Sequence, residues 1–293
     1  MGLLDRKKVE VPAVPPVAPP AEVKQELATP QPAGVATTSI NLMDDAGAGQ
    51  ETMSREDFAI PRLSILQSLS PQCAKREATY IEGAEAGHIF DNITTEMYDG
   101  EEGITVIPVS YRRANIEWNT RANGGGFVAD HGLDDSCLAD CSKDDKGAMI
   151  TPRGTVIVTT AEYLCLVVDP ATGTAKQVAI SMSKSQLKKA RKWNTMISQL
   201  QVATPDGKGF FNPAMFYRSY KLNTIPESND QGNWFGWNIK PSVETLSIPG
   251  GESIYLSARK FRSMINAGEV KVAAHSDEPA GATGAGSSDD DSL

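Results

Sequence analysis

The chain has little of what catalysis or membrane insertion requires. It holds only three histidines, His88, His131 and His275, in 293 residues. No G-x-S-x-G elbow, no G-x-G-x-x-G turn and no G-x-x-x-x-G-K-[ST] loop occurs, which removes the commonest nucleophile and phosphate-cradling motifs. The four cysteines, Cys73, Cys137, Cys141 and Cys165, are too few for a disulfide framework in a chain this long, so a reducing, cytosolic setting is expected. His131, Cys137 and Cys141 fall at H-x5-C-x3-C spacing, but zinc needs a fourth ligand, which Cys73 or Asp135 would have to supply. No calcium-loop spacing is present either. The expectation is no metal, no cofactor and no enzymatic activity. No apolar run reaches the length of a membrane span. The N-terminus lacks a signal-peptide apolar region, and Arg6 stands where myristoylation asks for Ser or Thr. A membrane is therefore not an expected partner.

What the chain does have is unevenly distributed. Residues 1–54 are rich in Pro, Ala and Val, as in Val14-Pro15-Pro16-Val17-Ala18-Pro19-Pro20. Proline fixes φ and removes a donor, so such a run is expected to stay extended and solvated. Residues 273–293 are Gly/Ala/Ser/Asp-rich and end Asp289-Asp290-Asp291-Ser292-Leu293. They bury too little apolar surface to offset the entropy of ordering. Both ends are read as disordered tails around a core at 55–272. Net charge is −9, of which −5 falls on residues 274–293 and −2 on residues 1–50, leaving only −2 for the core. The acidic pI is thus a poor guide to what the core binds.

Within the core, β-branched and aromatic runs predict strands at 88–93, 104–109, 114–118, 155–159, 163–168, 177–180, 214–223 and 234–239. Asp169-Pro170-Ala171-Thr172-Gly173 is a strong turn. A loop at about 127–153 carries several aspartates and no periodicity. Ser183 with Gln186 suggests a capping box before a helix whose Leu187, Ala190, Asn194, Ile197 and Leu200 form one stripe and Lys184, Lys188, Arg191 and Thr195 another. A last helix over 253–267 presents Ile254, Ala258, Phe261 and Ile265, with Gly268 as its C′ residue. No βαβ alternation is visible. The expected class is mainly β with two helices: an antiparallel, OB-like β-barrel flanked by disordered tails.

The chemistry concentrates at 181–221, which holds eight basic residues and one acid, Asp206, a net of +7. Aromatics interleave with the cations. Single-strand nucleic-acid binders need both, cations for phosphates and ring faces for bases, each stacked base being worth roughly 1–3 kcal/mol. The candidate stackers are Tyr111, Trp118, Tyr217, Tyr220, Trp234 and Trp237. The candidate phosphate contacts are Arg112, Arg113, Lys188, Lys189, Arg191, Lys192, Arg218 and Lys221. The competing reading makes the helix face an ordinary solvated surface and one aromatic set core. A tethered acidic tip beside a cationic groove has a high effective concentration, so Asp289, Asp290, Asp291 and Leu293 are candidates for competing with nucleic acid or recruiting a protein partner.

Three stretches carry a resemblance: 59–72 (AIPRLSILQSLSPQ), 104–113 (ITVIPVSYRR) and 185–194 (SQLKKARKWN). They resemble a family of tailed-phage proteins over most of 55–272. In architecture and tail the chain is also similar to the OB-fold single-stranded DNA-binding proteins of phage replication and recombination, although those often end in Phe after the acidic run and this chain ends in Leu293. The resemblance implies sequence-independent binding of single-stranded DNA in the host cytoplasm, with replication or recombination proteins as partners of the tail. The alternatives are a virion structural or assembly protein and, less supported by motif, an enzyme of nucleic-acid metabolism. Oligomeric state, including a homo-oligomer, is left open by sequence.

Overall fold

The computed structural model describes residues 43–54, 57–120, 123–144, 147–230 and 232–275. It divides into two units, Met1–Glu51 and Thr52–Leu293. In the first, the described residues 43–51 are exposed turns. All regular structure described below belongs to the second.

The strands are β1 (Arg62–Ile65), β2 (Ile89–Asp91), β3 (Met97–Tyr98), β4 (Ile104–Trp118), β5 (Phe127–Asp130), β6 (Ser142–Lys143), β7 (Met149–Ile150), β8 (Val156–Asp169), β9 (Thr174–Ser183), β10 (Val202–Ala203), β11 (Phe210–Phe211), β12 (Arg218–Asn229) and β13 (Gly232–Glu244). The helices are α1 (Leu187–Ser198) and α2 (Gly251–Asn266). Eleven strands form one curled sheet along the path β13-β12-β4-β8-β9-β1-β2-β3, with β5, β6 and β7 attached to its flank. All pairings are antiparallel except β1 with β9. The sheet is an open half-barrel. β13 is tied to the residues that follow β1 by a side chain rather than a ladder: Gln67 Nε2 donates to Phe235 O (3.0 Å) and Phe235 N donates to Gln67 Oε1 (2.8 Å). Thr224 adds a hydroxyl bond to Gly87 O at 2.7 Å.

Alternation along the long strands builds two cores on opposite faces. On one, Val106, Ala161, Tyr163, Cys165, Ile180 and Met182 surround Ala190 and Trp193 of α1. On the other, Ile107, Val109, Leu166 and Ala179 meet Ile254, Ala258 and Phe261 of α2. A sheet covered on both faces needs apolar residues at consecutive positions, which is why Leu164-Cys165-Leu166-Val167-Val168 shows no alternation. The α2 stripe and the left-handed Gly268 (φ 71°) are as predicted.

Several boundaries are corrected. The stretches 104–109 and 114–118 are one strand, bulged between Pro108 and Ser110. The strands expected at 155–159 and 163–168 likewise fuse into β8. The Ser183 hydroxyl makes no cap bond; a 3-10 turn over Lys184–Gln186 precedes α1, and the Gln186 amide reaches Trp237 N (2.9 Å) and Glu227 (3.0 Å) instead. The segment 127–153 is not a bare loop, because β5 pairs with β4 and β7 pairs with β8. Among the described residues no helix is long and apolar enough to cross a membrane.

Candidate nucleic-acid interface

Beyond the helices, β4 and β8 run on as a paired ribbon through Trp118 and Val156, where β5 and β7 join its two edges. Strand alternation puts Tyr111 and Arg113 on the face that α1 covers, opposite Tyr163 and Ala161. There α1 brings Arg191 alongside, and a cleft of about 150 Å³ opens among Tyr111, Arg113, Thr159, Ala161, Leu187 and Arg191. Its aromatic wall is layered. Tyr111, 39% exposed, lies 5.1 Å from Tyr163, and Tyr163 stacks on buried Trp193 at 4.3 Å and 29°. The Tyr163 hydroxyl donates to Asn194 Oδ1 at 2.8 Å, and burial pushes its pKa far up, so the ring stays neutral. Arg191 is exposed, and Arg113 has a carboxylate, Asp135, only at 3.9 Å. An exposed ring backed by a rigid stack and flanked by two guanidiniums can receive a planar base and a phosphate.

The opposite face of the ribbon is ionic. Glu162 is buried and paired with Arg62 (Nη1–Oε1 2.6 Å) and with Arg112, its cross-strand neighbour. Arg112 also donates to Asp130 of β5 at 2.5 Å. Burial alone would raise the Glu162 carboxyl; His275, Arg62 and Arg112 outweigh it and hold the group well below the usual carboxylate range. Further along β4, on the Tyr111 face, a second buried carboxylate, Glu117, accepts from the Thr155 hydroxyl (2.5 Å), with His131 Nε2 at 2.8 Å and Arg153 at 3.3 Å. The Thr155 bond is the main reason its pKa lies below the ordinary value. His131 is therefore engaged with Glu117, and among the described residues no group of three or more His, Cys, Asp or Glu is placed to hold a metal.

The candidates thus separate. Tyr111, Arg113 and Arg191 converge on the cleft, with exposed Lys188 and Lys192 on the same helix. Arg112 is committed to Glu162 and Asp130. Lys189 is paired with Glu227, which also accepts from Trp234 Nε1 at 2.9 Å. Lys221 donates to Gly103 O at 3.2 Å. Tyr217 and Arg218 are half-buried and far along the sheet at the start of β12. Two candidates are corrected: Tyr220 and Trp237, 1% and 2% exposed, belong to the core around Trp193 and present no face to a ligand. The strand expected at 214–223 begins late and irregularly, because a 3-10 turn (Met215–Tyr217) and a bulge between Arg218 and Tyr220 interrupt it. Asp289, Asp290, Asp291 and Leu293 lie outside the described residues. Sequence reading missed Tyr163, Glu162, Phe127 and His275. His275 had been assigned to the tail, yet its side chain is tucked between Trp118 and Phe127.

The fold and the cleft define a mainly β, two-helix protein whose distinctive surface is aromatic and cationic. The chain belongs to the Pam3 phage gp34-like protein family, whose model matches residues 31–271. No curated protein and no solved structure matches it.

Proposed function

We propose that this phage protein binds single-stranded DNA without sequence preference, in replication or recombination in the host cytoplasm, and that it is a binding protein rather than an enzyme. The observation that carries the reading is the convergence of Tyr111, Arg113 and Arg191 from two elements on one cleft. Stacking on Tyr111 is indifferent to base identity, and the two guanidiniums suit phosphates. A curled antiparallel sheet with a helix against one face is compatible with an OB-like mode of binding. In this reading the acidic residues after 276 compete for the cleft or recruit replication partners, as a tethered anion beside guanidiniums does.

The test is fluorescence anisotropy of a labelled oligonucleotide with the full chain and with a chain ending at His275. Binding at low salt that weakens steeply as salt rises, and tightens without residues 276–293, is the expected result. No binding by either chain at low salt overturns the reading. A virion structural or assembly role is the second reading. It is favoured by Phe210 (72% exposed) and Phe211, carried outward on the β10–β11 hairpin, and is tested by mass spectrometry of purified virions.

A further inference from the structure

The last described residues form a strap across the ionic face of the ribbon. Val272 makes a parallel bridge with Ile60. Ile60 N donates to Lys271 O, and Ala273 N donates to Ile60 O, both at 2.9 Å. Arg62 Nε donates to Ala273 O at 2.8 Å. The strap ends by delivering His275 into an aromatic corner. The imidazole stacks on Phe127 at 5.5 Å and 20°, and meets Trp118 edge-on at 5.5 Å and 78°. Trp118 and Phe127 are themselves nearly perpendicular, at 85°. His275 Nε2 lies 3.2 Å from Glu162 Oε1, and the side chain is only 9% exposed.

Three features make this corner more than a packing detail. It is lined by two rings that belong to the ribbon, and its occupant is a planar heteroaromatic ring that does not. The floor is an ionised carboxylate, an acceptor without a proton to give. The strap is secured by one bridge, a few backbone bonds and the Arg62–Ala273 bond, each worth about 1–3 kcal/mol net, and by Val272 packed against the α2 core, so its release costs less than unfolding of the sheet. With His275 gone, the corner would offer a stacking face in Phe127, an edge in Trp118 and an acceptor in Glu162. A nucleobase with an exocyclic amino group meets all three, and carboxylates accept from cytosine N4 in this way. Thymine has no amino group to offer.

We propose that the Trp118–Phe127 corner is a second base-stacking subsite of the nucleic-acid interface, held shut in the free protein by His275, and that a single strand opens it by displacing residues 271–275. The inference rests on the function proposed above and deepens it. The corner and the Tyr111 cleft lie on opposite faces of the ribbon, so a strand using both passes from one face to the other.

The experiment uses the full chain as wild type, His275→Ala, and His275→Ala combined with Phe127→Ala, with labelled oligo-dC and oligo-dT of equal length. Phe127 is 39% exposed, so its truncation leaves the core intact. Removing a stacked competitor should tighten oligo-dC binding about two- to tenfold, with a smaller gain for oligo-dT, and the double variant should lose the gain. In the NMR spectrum of the free wild type, the His275 ring protons should be shifted upfield by Phe127 and should return to solvent-exposed values on adding oligo-dC. Equal affinity of His275→Ala and wild type, with binding still dependent on Tyr111 and Arg113, overturns the subsite and leaves the proposed function standing. A gain that survives Phe127→Ala also overturns it, because the rings are then not the site. No binding by any variant, or by the chain ending at His275, overturns the function and the subsite together.

Discussion

Replacing Glu162 by Gln removes one buried charge and little else. The carboxylate sits between Arg62 and Arg112, and the side chains of Glu162 and Arg62 are 6% and 10% exposed. Removing one partner of such a pair leaves an uncompensated buried charge, at about 3–5 kcal/mol. Arg112 is half exposed, so solvent screens its share and adds little to that figure. The Gln amide oxygen still accepts from Arg62, which argues for the lower end, about 3 kcal/mol. For a folded unit of this size that is a fall in Tm of roughly 6–12 °C. Urea titrations followed by circular dichroism, repeated across pH, separate charge from shape. The folded pKa of Glu162 is depressed below its usual 4.5, so its stabilisation is fully present above that value and is lost as pH falls toward the depressed one. The gap between wild type and Glu162→Gln should therefore be constant near neutrality and close progressively below about pH 4.5, since a protonated glutamate resembles glutamine. A gap under about 1 kcal/mol at pH 7 would refute the reasoning, being what an exposed ion pair is worth. So would a larger gap that persists unchanged in acid.

Arg113→Ala and Arg191→Ala should each weaken oligonucleotide binding and lower the slope of log affinity against log salt by about 0.7 in anisotropy titrations. Lys189→Ala, whose ammonium is held by Glu227, should leave that slope nearly unchanged. Trp193→Ala should cost about 3–5 kcal/mol in urea unfolding, because it empties the space between Tyr163 and Tyr220. Trp193→Phe should cost less, since Trp193 Nε1 has no hydrogen-bond partner among the described residues and nothing is lost with it. Gly100→Ala would drive a methyl onto the Gly87 carbonyl and the Thr224 hydroxyl, where β12 meets the residues before β2, and should lower stability by about 1–3 kcal/mol in thermal melts.

The element types were readable where one local rule dominates. The α2 stripe is legible because a single face is buried, and Gly268 is legible because a left-handed C′ residue favours glycine. The boundaries within β4 and β8 were not. Ser110 to Arg113 looks like a polar connection, yet backbone pairing with Tyr163 and Leu164 carries the strand straight through it, and a bulge at Pro108 absorbs the missing donor. The tie between β13 and the end of β1 was invisible for a related reason. It depends on the amide of one residue, Gln67, imitating a ladder partner for Phe235 across 168 positions, and no local pattern encodes that.

The interface was legible as composition and not as geometry. The +7 of residues 181–221 includes Lys189, which Glu227 from β12 neutralises, and Lys221, which is spent on a carbonyl. Neither Glu227 nor Gly103 lies in that segment. The aromatics divide the same way: Trp193 and Tyr220 fill the core, whereas Tyr111, 76 residues before the start of α1 at Leu187, forms the exposed wall. What makes a cation or a ring available is whether the fold supplies it with an internal partner, and here those partners come from β5, β8 and β12. Charge counted along residues 181–221 therefore overstates the cationic surface at α1, and Arg113 opposite it, a candidate from sequence, lies outside that segment. The proposed interface lies where β4, β8 and α1 meet, at Tyr111, Arg113 and Arg191.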